Sequence, residues 1–314
     1  MYLNALNSVD FEFDSLKLSG FSVSGLATWL VASELDVCFD MGECPLNTVS
    51  INHVFLTHAH GDHSRCLMRH YALRKMMGIE REPIYYLPAA ILPQAQKWIQ
   101  ASNAFENTHK ANMPLPQLVP LEHMTLDEEP LGLPYRKNLS LRTFEVDHGV
   151  PSLGYTLFHC RNKLKAEYQG LTGPEIVALK KQKIQVQAPV YLPFFTFIGD
   201  CTGYTLRKEK TIWQSEYLVI ESTYIGDGEE GFARQRGHTH LSEVGRVLSD
   251  YGEQVKCKKI ILKHFSMKVR PLDALKAALL YIPPIFHDRV YLMTHIKGAR
   301  PHQSLAELSK LSLF

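Results

Sequence analysis

Between positions 57 and 63 the chain reads Thr57-His58-Ala59-His60-Gly61-Asp62-His63, three histidines and one aspartate within six residues. Packing has no use for that much ligand chemistry in one place. Neutral imidazole and carboxylate suit zinc and related divalent ions. On a loop, His58 and His60 can grip one ion while Asp62 and His63 turn toward another. A bare His-x-His reads equally well as a solvated polar loop, and it is the added Asp-His after a strand-like run that argues for metal.

Such a site needs elements to hold it. SINHVFLTH (50–58) ends in an apolar run of strand length, and SRCLMRHYALRKMMG (64–78) has helical periodicity with a glycine stop. The His/Asp run therefore sits at a strand-to-helix junction, a usual place for functional residues. Upstream, FSVSG (21–25), ATWLVAS (27–33) and LDVCFDMG (35–42) read as short strands. Downstream, PIYYLPAAI (83–91) is strand-like up to Pro88 and LPQAQKWIQASNAFENT (92–108) helical. LSLRTFEVDH (139–148), FTFIGD (195–200), YLVIES (217–222), KIILKHF (259–265) and RVYLMTH (289–295) are strand-like; LSEVGRVLSDYG (241–252) and PLDALKAALLYI (271–282) are helical. Strands then helix, twice over, predicts two sheets packed face to face with helices outside, in one continuous α+β domain over 1–314.

The 314 residues carry a net charge of +2 and ordinary globular composition, 45% hydrophobic and 21% charged, enough to bury a core without staples. The six cysteines show no C-x-x-C pair. They read as reduced thiols of an intracellular, cytoplasmic chain rather than as a disulfide framework. The N-terminus shows no signal peptide, and no apolar run is long enough to span a membrane. Segment 161–190 stands apart. Between 161 and 183 it holds six basic and two acidic residues and looks like an excursion from the core.

The His-x-His-x-Asp-His run resembles the motif of the metallo-β-lactamase superfamily, which implies a four-layer αββα sandwich with metals at one edge. That pattern also asks for a distant histidine, an aspartate and a last histidine at strand ends; His148, Asp200 and His264 occur in that order. Within the superfamily the chain resembles ribonuclease Z, in its short form, from about residue 20 to 295. The resemblance rests on FDMGECP (39–45), HGVPSLGY (148–155), YQGLTGPEIVALKKQ (168–182), GDCT (199–202), ESTYI (221–225), GHTHLSE (237–243) and HFS (264–266).

The resemblance implies a metal-dependent endonuclease that removes the 3′ trailer from precursor tRNA and leaves a 3′-hydroxyl. It implies two divalent ions, zinc before manganese or iron, with an activated hydroxide between them. His58, His60 and His148 would hold one ion, Asp62, His63 and His264 the other, and Asp200 would bridge. Asp62 would orient or deprotonate the attacking water, and His238, partnered by Glu221, would protonate the leaving oxygen. The basic arm, 161–190, would hold the tRNA body through Lys163, Lys165, Lys180, Lys181 and Lys183, with Gly173 and Pro174 shaping its tip. Relatives are often homodimers in which one subunit's arm serves the other's site.

The chain departs from the pattern at Cys201, where threonine is usual, at His240, where a small hydroxyl residue is common, and at Lys268-Val269, where Arg-Tyr is frequent. The arm is also shorter than in many relatives, and residues 296–314 match nothing in the pattern. A small-molecule hydrolase of the same fold, a cyclic-nucleotide phosphodiesterase, lactonase or arylsulfatase, would use the same metals but has no need of a basic arm. A non-catalytic scaffold would be expected to have lost ligands, and all seven positions are filled. The remaining histidines, 53, 70, 109, 123, 159, 240, 287, 295 and 302, read mostly as surface or core residues, with His240 set apart because it lies two residues from His238.

Overall fold

Every residue from Tyr217 to Glu221 is buried, so this strand must be covered on both faces. Its side chains divide by alternation: Leu218 and Ile220 face one apolar cluster, Tyr217 and Val219 another. That division sets the layering of the whole chain in the computed structural model, which describes residues 8–106 and 114–311.

One sheet runs in chain order: β1 (Val9–Phe13), β2 (Leu16–Ser24), β3 (Ala27–Ala32), β4 (Val37–Phe39), β5 (His53–Phe55), β6 (Ile84–Pro88) and β7 (Gln117–Leu121). It is antiparallel from β1 to β4 and parallel from β4 to β7. The other contains β8 (Leu131–Leu133), β9 (Arg136–Glu145), β10 (Leu153–Leu164), β11 (Gln187–Phe197), β12 (Tyr217–Glu221) and β13 (Lys259–Lys263). The two-residue β14 (Phe265–Ser266) crosses over to pair with β2, and β15 (Val290–Leu292) completes the second sheet beside β13.

Between the sheets lies an aromatic core in which Phe39 stacks on Phe55, Phe195 and Phe197 with ring centroids 4.7–5.4 Å apart. Helices α1 (Gly61–Ser64), α2 (Leu67–Met76) and α3 (Leu92–Glu106) lie on the first sheet's side of the chain, where Leu67, Tyr71 and Ile99 share a cluster with Val54 and Tyr85. After α4 (Gly173–Lys181), α5 (Gly203–Lys208) and α6 (Glu230–Gln235) come α7 (Leu241–Tyr251) and α8 (Pro271–Tyr281), with α9 (Leu305–Leu308) last. Val244, Leu248, Leu275 and Ala278 of α7 and α8 bury against Ile220, Ile260 and Leu262 of the second sheet. The result is the expected αββα order.

The largest difference from the sequence-based expectation is β10 and β11. They pair antiparallel from Tyr155↔Phe197 out to Leu164↔Gln187, with a bulge at Leu157/Phe158. Their inner halves are buried, but from about His159 outward they are half-buried to exposed. Arg161 and Lys163 in β10 and Pro189 and Pro193 in β11 hid the continuous strands, and α4, which buries no residue, sits at the far end. Expected strand 139–148 stops at Glu145, because Asp147 leaves the ladder to accept from Thr202 N at 2.8 Å. Positions 107 and 108 of the expected helix, His109, and the last three residues of the unmatched tail lie outside the described residues. Among the described residues, no helix is long and apolar enough to cross a membrane, and the six cysteines are free.

Candidate metal centre

The parallel strands β5, β12 and β13 end at one edge of the sandwich, and the polar residues that follow them meet there. This is where open parallel sheets present ligand sites. His58, His60, His148 and Asp200 form one group of potential ligand atoms, and Asp62, His63, Asp200 and His264 a second, each within 4.8 Å.

Asp200 belongs to both groups through different oxygens. Oδ2 lies 3.8 Å from His58 Nε2 and 3.7 Å from His148 Nε2. Oδ1 lies 3.2 Å from His63 Nε2 and 3.3 Å from His264 Nε2. His60 Nδ1 closes the first group, 3.0 Å from His58 Nε2 and 3.2 Å from His148 Nε2. Asp62 Oδ2 closes the second, 3.8 Å from His63 Nε2 and 3.7 Å from His264 Nε2.

The ring orientations follow from hydrogen bonds on the outer nitrogens. His58 Nδ1 donates to Thr57 Oγ1 at 3.0 Å, His148 Nδ1 to the Gly237 carbonyl at 2.7 Å, and His264 Nδ1 to Thr223 Oγ1 at 3.0 Å. His63 Nδ1 donates to Asp40 Oδ2 at 2.8 Å. All four rings thereby turn Nε2 inward, the arrangement that metal-binding histidines use. Gly237 is required for this approach: at φ +75° a Cβ there would stand 2.5 Å from the His148 carbonyl oxygen. Asp62 is aimed by the Gly25 amide, which donates to Oδ2 at 2.8 Å. His264 itself sits at φ +63°, left-handed backbone that a non-glycine side chain adopts at a cost.

These residues fit a cation pair. Burial, the larger influence, holds His58, His60 and His264 below the ordinary imidazole range, in the neutral form a metal requires. Burial opposes charge on His63 as well, yet Asp200 and Asp40 override it and raise that ring to about 10. The pocket thus has negative charge to spare for a cation. Among the described residues Asp200 Oδ1, fully buried, meets the His63 and His264 rings, at 3.2 and 3.3 Å, with no well-formed hydrogen bond, and a buried carboxylate so placed favours a cation.

Beside this cluster, Glu221 is fully buried and fully satisfied. Oε1 accepts from Cys201 N at 2.8 Å and from His238 Nδ1 at 2.9 Å; Oε2 accepts from Thr223 N and Oγ1 at 3.1 and 2.5 Å. Burial works against protonation of His238, and Glu221 outweighs it, so the imidazolium is held up to about 9. With Nδ1 engaged, Nε2 is the atom from which His238 can give a proton.

The described structure brings together all seven sequence-derived ligand candidates and the Glu221–His238 pair. Lys163, Lys165, Gly173, Pro174, Lys180, Lys181 and Lys183 are not part of this cluster; they lie along the outer hairpin and α4, all exposed except half-buried Lys165. Sequence reasoning missed Asp40, Thr57 and Thr223, whose only signal is a short polar residue in or beside the segments that carry the resemblance. It also left His240 open. That ring caps α7: Nδ1 accepts from Ser242 N at 3.2 Å and Nε2 donates to the Gly226 carbonyl at 2.9 Å. Cys201, fully buried, contributes through its backbone, whose amide holds Glu221 and whose carbonyl accepts from Thr239 Oγ1 at 2.7 Å.

No family model matches the chain. It is 28% identical over 286 residues to "tRNase Z TRZ1" of Arabidopsis thaliana, covering 90% of this chain and 96% of the relative. Among solved structures it is similar to the metallo-beta-lactamase fold protein YhfI from Bacillus subtilis, with TM-score 0.56, 14% identity and coverage of 91% and 97%. It is similar too to human tRNase Z, short form, with TM-score 0.50, 16% identity and coverage of 79% and 92%. The fold is that of the metallo-β-lactamases.

Proposed function

We propose that this ribonuclease Z-like chain is a metal-dependent endoribonuclease that removes the 3′ trailer from precursor tRNA and leaves a 3′-hydroxyl. One observation carries the phosphodiester chemistry: an Asp200 carboxylate divided between two ligand groups, with a Glu221-held imidazolium beside them. The tRNA substrate rests on the likeness to "tRNase Z TRZ1" over nine-tenths of the chain.

His58, His60 and His148 would hold one divalent ion and Asp62, His63 and His264 the other, with Asp200 shared; zinc suits this donor set best, though manganese and iron also accept it. When bound, two such ions offset the charge of the phosphodiester and make a water acidic enough to attack near neutral pH. Asp62, fixed by the Gly25 amide, orients the attacking water. His238 donates its Nε2 proton to the departing 3′-oxygen, and Glu221 keeps that ring charged and correctly turned. The arm, 161–190, gives the tRNA body a basic surface in Lys163, Lys165, Lys180, Lys181 and Lys183, with Gly173 and Pro174 at the start of α4 shaping its tip. A homodimer would let one subunit's arm serve its partner's site. The six free thiols suit a reducing compartment such as the cytoplasm.

A 3′-labelled precursor tRNA, run beside a small chromogenic phosphodiester and a metal-stripped control, tests the reading. Cleavage at the end of the acceptor stem, lost on metal removal, is expected. Hydrolysis of the small diester alone would overturn the tRNA assignment and point to a small-molecule hydrolase of the same fold.

A further inference from the structure

The metal cluster has an apolar neighbour that the chemistry above does not use. A groove of about 520 Å³ opens beside His60, between the end of β6 and helix α3. Leu87 and Ile91 form part of its wall, Val150 is on the side after His148, and Arg65 and Trp98 also line it. Trp98 is 39% exposed, unusual for so large an apolar ring. Arg65 is 45% exposed, its nearest ion partner Glu43 at 3.9 Å.

We infer that this groove binds the base of one nucleotide next to the scissile phosphate, with Trp98 as the stacking platform and Arg65 facing the adjoining backbone. The inference rests on the tRNA reading and adds to it. An aromatic ring beside a cation is the recurring means of holding an unpaired nucleotide without reading its sequence. The groove is continuous with the cluster because His60 belongs to both. Its volume suits a single nucleotide unit and not a duplex.

Position selects which nucleotide. Ring contacts run from His238 to His148 to His60, with centroids 5.3 and 5.1 Å apart, and the groove begins at His60. His238 marks the departing 3′-oxygen and therefore the mature tRNA end. His60 lines the groove and neither His148 nor His238 does, so the groove takes the first nucleotide of the trailer, on the side of the phosphate away from His238.

The test is a cycle between protein and substrate. Precursor tRNA with an ordinary or an abasic first trailer nucleotide is cleaved by the wild type, Trp98→Phe and Trp98→Ala, with melting temperature and bound metal measured to check each fold. In the wild type the abasic site raises KM about ten-fold. Trp98→Phe keeps that penalty, and Trp98→Ala raises KM on the ordinary substrate and removes most of the abasic penalty. An abasic site that costs nothing in the wild type, or costs as much in Trp98→Ala, overturns the groove assignment while leaving the cleavage reaction standing. Failure of the wild type to cut the unmodified precursor overturns the tRNA reading, and this inference with it.

Discussion

Asp40 and His63, 23 residues apart and both fully buried, are joined by a 2.8 Å hydrogen bond from Nδ1 to Oδ2. Asp40 also accepts from the Thr57 amide at 2.8 Å and from Thr57 Oγ1 at 2.9 Å, and Thr57 in turn holds His58. One carboxylate thereby orients a ring of each ligand group. Asp40→Asn is expected to weaken metal binding about 10- to 100-fold, measured by competition with a chromophoric chelator. Affinity equal to the wild type would remove Asp40 from this role.

The Glu221–His238 pair makes a prediction about pH. A general acid must be protonated, and Glu221 is what keeps His238 charged up to about 9. Glu221→Gln takes away the attraction and leaves burial, which favours the neutral ring. The alkaline limb of kcat should then move to lower pH. The pH profile of precursor cleavage reads this directly, and an unmoved limb would exclude the pair from the proton step. His238→Ala should lower kcat on tRNA about 10²- to 10⁴-fold. The loss should be much smaller on an aryl diester, whose leaving group departs without a proton.

The cluster's members could be named because the His-x-His-x-Asp-His run, followed in order by His148, Asp200 and His264 after strand-like runs, resembles the metallo-β-lactamase pattern; a strand-end His or Asp alone would have read as a turn residue. Asp200 after FTFIG and His264 after KIILK needed only the parallel edge of β11, β12 and β13 to meet. Asp40 was not legible: it follows a strand like any turn residue, and its purpose shows only when β4 and β5 pair and bring Thr57 to it. His240 stayed open in the sequence because it lies two residues from His238, and its hydrogen bonds are those of a helix cap. The long β10–β11 hairpin was hidden because its outer half is at most half-buried and carries Pro189, Pro193 and a polar Arg161–Lys163 run in place of an alternating apolar pattern.

Salt is the lever on the arm. Lys180 and Lys181 close α4, and Lys183 follows it at φ +61°. If they meet tRNA phosphates, replacing all three by glutamine should raise KM for precursor tRNA. It should also flatten the dependence of log KM on log salt, by up to roughly one unit of slope for each phosphate left without its lysine. An unchanged slope would show that these lysines do not touch the RNA.

Acid should weaken the fold through a histidine that has no part in the reaction. His70 lies buried on α2, where Nε2 donates to the Thr48 carbonyl at 3.0 Å and Nδ1 accepts from the Tyr85 hydroxyl at 2.7 Å. Burial, with Arg74 also opposing a second positive charge, lowers its pKa from 6.5 to about 4. Between those values the unfolded chain binds a proton that the folded chain refuses. Stability is therefore full above 6.5 and falls as pH drops toward 4, by about 3 kcal/mol in all. His70→Gln should be less stable than the wild type at pH 7 but lose less between pH 6.5 and 4.5. Metal-free protein is the right sample, because acid also releases metal from the histidine cluster. Parallel melting curves for the two proteins across that interval would show that His70 is not the group responsible.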